Sequence, residues 1–283
     1  MHSTTATRLV VAGWLAALFL TPLSAWEAAP AWGAAPERGT GAFGLFLDRV
    51  AAFAAVNRPR LTKACGPDRL CAARLIVGAQ GLPARLEAVV HPDTDSIRRA
   101  TSQRSISQFR SIDDGLHVMQ LGKFSRKLND ELLYNINSLN NLSHLIIDLR
   151  GNRGGDFDRM RRATALFTGP IAAALTLTHR GSTQQIDIPA PDRRLAIPRL
   201  SVLIGPHTAS SAEVLAVLLR KHANATVLGA RSFGKDYLYR IIPVTHDWRL
   251  LLPAEQISVS GQTLAGGVIP DGPIPRDLAS QID

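Results

Sequence analysis

Between Gly41 and Asn57 the apolar residues Phe43, Phe46, Leu47, Val50, Phe53 and Ala54 recur at helical spacing, which predicts a helix. A second helix is expected over residues 68–77. A hairpin is expected to join Leu86–Val90 to Ser96–Arg99 across His91-Pro92-Asp93. Residues 100–112 are polar, rich in Ser, Gln and Arg, and read as a linker or an edge strand. After Asp113 the texture changes. Leu116–Leu121 reads as a strand, and Ser125–Leu139 is helix-periodic through Leu128, Leu132, Leu133, Ile136 and Leu139. The stretch HLIIDLR, from His144 to Arg150, has a continuous apolar centre, the mark of a strand buried on both faces. A glycine turn and a helix over 156–168 follow, stopped by Gly169. Leu200–Gly205 is a buried strand, Ala209–His222 a helix and Ala225–Gly229 another strand. Arg240–Val244 and Arg249–Leu252 alternate around a turn at Thr245, His246 and Asp247. Strands alternating with helices define an α/β protein.

The first 25 residues do not belong to that pattern. Arg8 supplies a positive start, Leu9 to Leu20 form a mostly apolar run, and the small residues Ser24 and Ala25 suit a signal peptidase. The run is shorter than the about 20 apolar residues of a membrane span. An uncleaved anchor with Trp14 and Trp26 at the interfaces is the alternative. The expected order is a signal peptide over 1–25 and a flexible Ala/Pro/Gly-rich tether over 26–40. A small, mainly helical N-terminal region over 41–112 and a core over 113–283 follow. Export implies a periplasmic or secreted protein. It also makes a disulfide the favoured reading of Cys65 and Cys71, the only cysteines, against two buried thiols. Two cysteines rule out a disulfide scaffold and a multi-cysteine zinc module. The net charge of +9 raises nucleic acid as a partner, but the arginines are scattered and form no aromatic-interleaved stripe, so none is expected. Such a surface suits peripheral association with an anionic membrane or cell wall.

Three segments carry candidate chemistry. In SVLIGPHTASSAEVL, Ser201 to Leu215, a buried strand ends in a Gly-Pro turn and two serines open the next helix. A hydroxyl there faces unpaired N–H groups and positive potential, which stabilise a developing oxyanion. The bland reading is a capping box, Ser210 with Glu213. In SFGKD, Ser232 to Asp236, a lysine follows a buried strand and a glycine turn. Desolvation there would release a neutral amine as general base, whereas most lysines are solvated surface residues. In DLRGNRGG, Asp148 to Gly155, glycines beyond a buried strand allow close approach of a substrate. The spacing fits neither a phosphate loop nor a dinucleotide fingerprint.

In this order and spacing the segments resemble the C-terminal processing (tail-specific) serine peptidases. Asp148–Gly155 is similar to the family's D-L-R-x-N-x-G-G turn, Thr208–Glu213 to its S/T-A-S-x-x-E segment and Ser232–Lys235 to its T/S-F-G-K segment. GVIPD, Gly267 to Asp271, is similar to its G-[I/V]-x-P-D element, and SGQT, Ser260 to Thr263, to its P-S-G-R-S turn. The resemblance covers about residues 113–275. It implies a ClpP/crotonase-like core of repeated ββα units and an acyl-enzyme mechanism without metal or cofactor, acting on unfolded or flexible protein segments. It further implies Ser210 as nucleophile, Lys235 as general base, and backbone donors at Ser211 and Gly154 (or Gly155) as oxyanion hole. Two departures stand out. Tyr239 occupies the position where the family often has a Gln that orients the amine. And 37–112 is short for the family's PDZ domain and lacks a G-L-G-F loop, so that domain is expected to be absent.

Rival readings attach to particular residues. His117, His207 or His246 would supply a Ser–His mechanism, but no carboxylate partner is evident; His144 and His222 read as surface or packing residues. Tyr239 and the missing PDZ domain motivate a catalytically inactive peptide- or ligand-binding protein on the same scaffold. A crotonase-like acyl-CoA enzyme is disfavoured by export and by the Ser210/Lys235 pairing.

Overall fold

The helical spacing near the start of the chain is realised in α1 (Thr40–Ala51), an unexpected short helix α2 (Arg58–Cys65) follows, and the helix expected over 68–77 is α3 (Arg69–Gly78). The structure, a computed structural model, describes residues 40–52, 54–79, 84–88 and 104–282. Asn57 caps α2 by accepting from Arg60 N at 3.0 Å, and Asp68 caps α3 by accepting from Leu70 N at 2.8 Å. Between them the chain turns at Gly66, and a disulfide joins Cys65 to Cys71. Strand β1 (Arg85–Ala88) is the start of the expected hairpin, whose residues 89–99 lie outside the described residues. The expected signal peptide and the tether up to residue 39 lie outside them too.

The polar stretch before Asp113 is an edge strand, β2 (Ile106–Asp113), antiparallel to β3 (Leu116–Leu121). Helix α4 (Leu128–Asn137), strand β4 (His144–Asp148) and helix α5 (Phe157–Thr168) follow. Next come β5 (Ile171–His179), β6 (Ser182–Ile188), β7 (Leu200–Ile204), helix α6 (Ser211–His222) and β8 (Thr226–Gly229). The chain ends with β9 (Tyr237–Pro243), β10 (Trp248–Val259), β11 (Gln262–Thr263) and helix α7 (Arg276–Ile282).

One sheet runs β2-β3-β4-β7-β8 and is parallel from β3 onward. Both faces are covered, as a parallel sheet requires. Leu145, Ile147, Val202 and Ile204 face the main core, built with α4, α5 and α6. The alternate residues Val118, Ile146 and Leu203 pack on Ile274, Leu278 and Ile282. Because β4, β7 and β8 are parallel neighbours, DLRGNRGG, the serine segment and SFGKD all emerge at the same edge, the usual place for a site in such sheets.

The second sheet is organised by β10, which pairs with β1, β9, β11 and β5, with β6 beyond β5. Helices α1–α3 pack on this sheet: Phe46, Leu47, Val50 and Ile76 share a cluster with Ile242, Val244, Leu250 and Leu252. The β5–β6 hairpin has no counterpart in the sequence-based expectation. Its apolar alternation is broken where the pairing slips between Ile171 and Leu175, and Ala173 there has a positive φ of 48°.

The disulfide closes a loop of sequence separation 6. Replacing both cysteines by serine should lower stability by about 2 kcal/mol, the loop-closure entropy returned to the unfolded chain. Denaturant unfolding of the double variant against the parent, each in oxidising buffer, measures this.

Candidate active site

The three loops at the sheet edge are fastened to one another before any substrate is considered. Thr208, fully buried, donates its hydroxyl to Leu149 O at 2.8 Å and accepts from Gly205 N at 2.9 Å. Ala209 N donates to Asn152 O at 3.0 Å, and Phe233 N donates to Thr208 O at 2.9 Å. The Asn152 side-chain amide donates to Leu121 O at 2.9 Å, and Arg150 grips the buried Asp148 through Nη2 at 2.9 Å. Polar groups buried this deeply must find partners, and here Thr208, Asn152 and the Ala209 N–H find them on another segment.

Ser210 stands at the N-cap of α6 with φ 57° and ψ −124°. A non-glycine residue in this region stores about 1–3 kcal/mol of strain, held by its surroundings. Gly154, φ +95°, lies against it. A Cβ at that position would come within 2.8 Å of Ala209 O and 2.9 Å of Ser210 Cβ, so only glycine fits. The Gly154 N–H donates to Asn152 Oδ1 at 2.8 Å; to serve an oxyanion it would have to exchange that bond. Ser211 occupies the first turn of α6, where backbone N–H groups have no intrahelical acceptor. Its hydroxyl donates to Gly155 O at 3.1 Å, pinning the glycine turn to the helix start.

Glu213 is the joint of the site. Its side chain is fully buried, and four donors converge on it. Oε2 accepts from Ser210 N at 2.7 Å and from Lys235 N at 2.8 Å. Oε1 accepts from Gly234 N at 2.6 Å and from the Ser232 hydroxyl at 2.5 Å. Ser232 Oγ in turn accepts from Val268 N at 2.6 Å, so the GVIPD segment braces the same turn. The backbones of Ser210 and Lys235 thus share a single carboxylate oxygen. The sequence pattern marks Glu213 as a capping partner and as the last residue of the S/T-A-S-x-x-E segment; its spacing to Ser210 signals half of this role and nothing signals the bridge to Lys235.

Lys235 is half-buried. Burial, and secondarily the guanidinium of Arg85, push its amine below the ordinary lysine range, against the opposing carboxylates of Glu87 and Glu213. Nζ lies over the ring of Tyr239, 4.9 Å from its centroid, so the contact runs to the aromatic face. Burial also raises the Tyr239 phenol above its usual value, with Arg85 opposing. His117, His144 and His246 have partners of their own. His117 is buried with its ring nitrogens against Ser111 Oγ and Asn141 O, at 2.9 and 2.7 Å. His144 meets Ser201 Oγ at 2.8 Å, His207 is exposed, and His246 sits in the β9–β10 turn beside Asp247. Among the described residues no group of three or more His, Cys, Asp or Glu side chains is arranged to hold a metal.

Residues 115–274, which contain every loop just described, match the profile of peptidase family S41. The chain belongs to peptidase family S41. It is 28% identical over 169 residues to the carboxy-terminal processing protease CtpA of Bacillus subtilis, covering 58% of this chain and 36% of that protein. This S41 chain therefore spans little more than a third of that relative's length. A lipoprotein from Streptococcus agalactiae has a similar fold, with a TM-score of 0.63 at 15% identity over 88% of this chain and 96% of that one. So does the photosystem II D1 C-terminal processing protease, at 0.50 and 17% identity over 69% and 49%.

In this S41 site Glu213→Ala would strand three backbone N–H groups and a hydroxyl, each costing about 1–3 kcal/mol when buried unpaired. The variant should lose at least about 3 kcal/mol of stability in denaturant titration, and Glu213→Gln, which keeps one acceptor oxygen, should lose less.

Proposed function

We propose that this S41 protein is an exported serine endopeptidase of the C-terminal processing type that cleaves unfolded or flexible protein segments. Ser210 is its nucleophile and Lys235 its general base. The observation that carries this reading is the single Glu213 oxygen that accepts from the backbones of both residues. The lowered basicity of the Lys235 amine and the strained backbone of Ser210 support it. The neutral amine takes the proton of Ser210 Oγ as that oxygen bonds to the peptide carbonyl carbon. The carbonyl oxygen becomes an oxyanion facing the N–H groups of Ser211 and of Gly154 or Gly155. The ammonium then protonates the leaving nitrogen, the C–N bond breaks and an acyl-enzyme remains. Water, losing a proton to Lys235, attacks the ester; Ser210 regains its hydrogen as the acid leaves. Tyr239 orients the amine through its ring, in place of the amide expected from the resemblance.

The same reading includes a signal peptide over 1–25, a tether over 26–40 and a periplasmic or secreted location, all resting on sequence pattern. The repeated strand–helix units from β3 to β8 support a ClpP/crotonase-like core over 113–283, preceded by a small, mainly helical region over 41–112. A second reading, a catalytically inactive peptide-binding protein, is favoured by one observation: the Gly154 donor is already taken by Asn152.

The purified protein should degrade an unstructured reporter such as casein, and Ser210→Ala or Lys235→Ala should each reduce cleavage by about 10³-fold or more. Peptide binding without turnover, unaffected by either substitution, would establish the second reading. The rate should rise with pH as Lys235 loses its proton. Because that amine is held below the ordinary lysine range, the rise should be complete at a lower pH than for a solvent-exposed lysine.

A further inference from the structure

Two cations share one aromatic ring, that of Tyr239. Lys235 Nζ lies 4.9 Å and Arg85 Cζ 5.1 Å from the centroid of Tyr239, both within cation–π range. The arrangement follows from strand register. On β10, Leu251 is opposite both Arg85 of β1 and Ile241 of β9, so Arg85 and Ile241 point to the same side of the sheet. Tyr239 lies two residues from Ile241 on β9 and shares that side. Arg85 is also tethered at its tip. Its Nε donates to Glu87 Oε1 at 2.7 Å, and Glu87 is held in turn by Arg249 Nη2 at 3.0 Å.

We propose that Arg85 is a positioning residue for the Ser210/Lys235 pair: it steadies the ring on which the lysine rests and crowds the amine with a second positive charge. The proposal rests on the reading of Lys235 as general base. Its logic is an asymmetry between the two cations. A guanidinium does not lose its proton in a protein, whereas an ammonium does, so mutual repulsion over one ring is relieved at the lysine. A ring face alone would favour the ammonium, which is the wrong form for a base. Where Tyr239 replaces an orienting amide, a nearby fixed positive charge offsets that preference.

The other charged groups around the amine and the ring are carboxylates. From β1, Glu87 favours the ammonium but is shared between Arg85 and Arg249; from α6, Glu213 does so too, although its oxygens already accept four hydrogen bonds. Asp236, beside the ring, accepts from Gln256 Nε2 at 2.8 Å and from the Thr263 hydroxyl at 3.4 Å. The Arg85 side chain is 48% exposed, so solvent screens its effect to a modest size.

The test follows the Lys235 amine directly by NMR of the full chain labelled with ¹³Cε-lysine, alongside the pH dependence of kcat/KM on an unstructured peptide. Arg85→Gln should raise the Lys235 titration midpoint by about 0.5–1 pH unit and move the acid limb of kcat/KM with it. Cleavage near neutral pH then falls about three- to tenfold and recovers at alkaline pH. Arg85→Lys, whose ammonium can itself give up a proton, should restore only part of the shift, and Glu87→Gln should move both midpoints in the opposite direction. An unchanged Lys235 midpoint in Arg85→Gln overturns the proposal, as does an equal loss of activity at every pH. If Arg85→Gln fails to fold, Arg85→Met, read in the same way, decides. A midpoint that moves in a protein with no Ser210-dependent cleavage upholds the Arg85 effect and defeats the peptidase reading.

Discussion

A carboxylate with no access to water is stable only where enough hydrogen-bond donors meet it, and at Glu213 those donors come from two loops far apart in the chain. This requirement orders the rest of the site. The turn before α6 must bring Ser210 N inward, and the turn after β8 must present Gly234 N, Lys235 N and the Ser232 hydroxyl together. Parallel pairing of β4, β7 and β8 delivers those turns to one edge, and the buried Thr208 and Asn152 keep them in register. The positive φ of Ser210 is tolerable because its N–H is anchored on that carboxylate.

Much of this was legible in the chain. Continuous apolar runs marked β4 and β7, helical spacing marked α1, α4 and α6, and Gly169 marked the end of α5. These signals are local, and local signals survive folding when burial and propensity agree. The β5–β6 hairpin was invisible because a slipped register and a run of exposed polar residues in β6 erase its alternation. The length of β10 was underestimated for a related reason. Its pairing shifts between Pro253 and Glu255, so one strand serves different partners along its length and no single period describes it.

The candidate site is legible as a set of motif segments and not as a set of contacts. The segments that carry Ser210 and Lys235 meet at Glu213, Gly154 lies against Ser210, and the Ser211 hydroxyl holds Gly155 O. What spacing could not express is how side chains meet: the amine over the face of Tyr239, the Gly154 N–H on Asn152, and Arg85 reaching the same ring from a strand outside every motif. Such contacts depend on cross-strand register, which no short pattern encodes.

The sharing of β10 between the helical layer and the strand that carries Tyr239 has a practical side. β1 and β9 flank one strand, so the cation next to the lysine comes from residues ahead of the stretch that matches the family. A fragment trimmed to residues 115–274 would keep every recognisable motif yet discard Arg85 and the apolar cover over Ile242 and Leu250. Its inertness would say nothing about the intact chain.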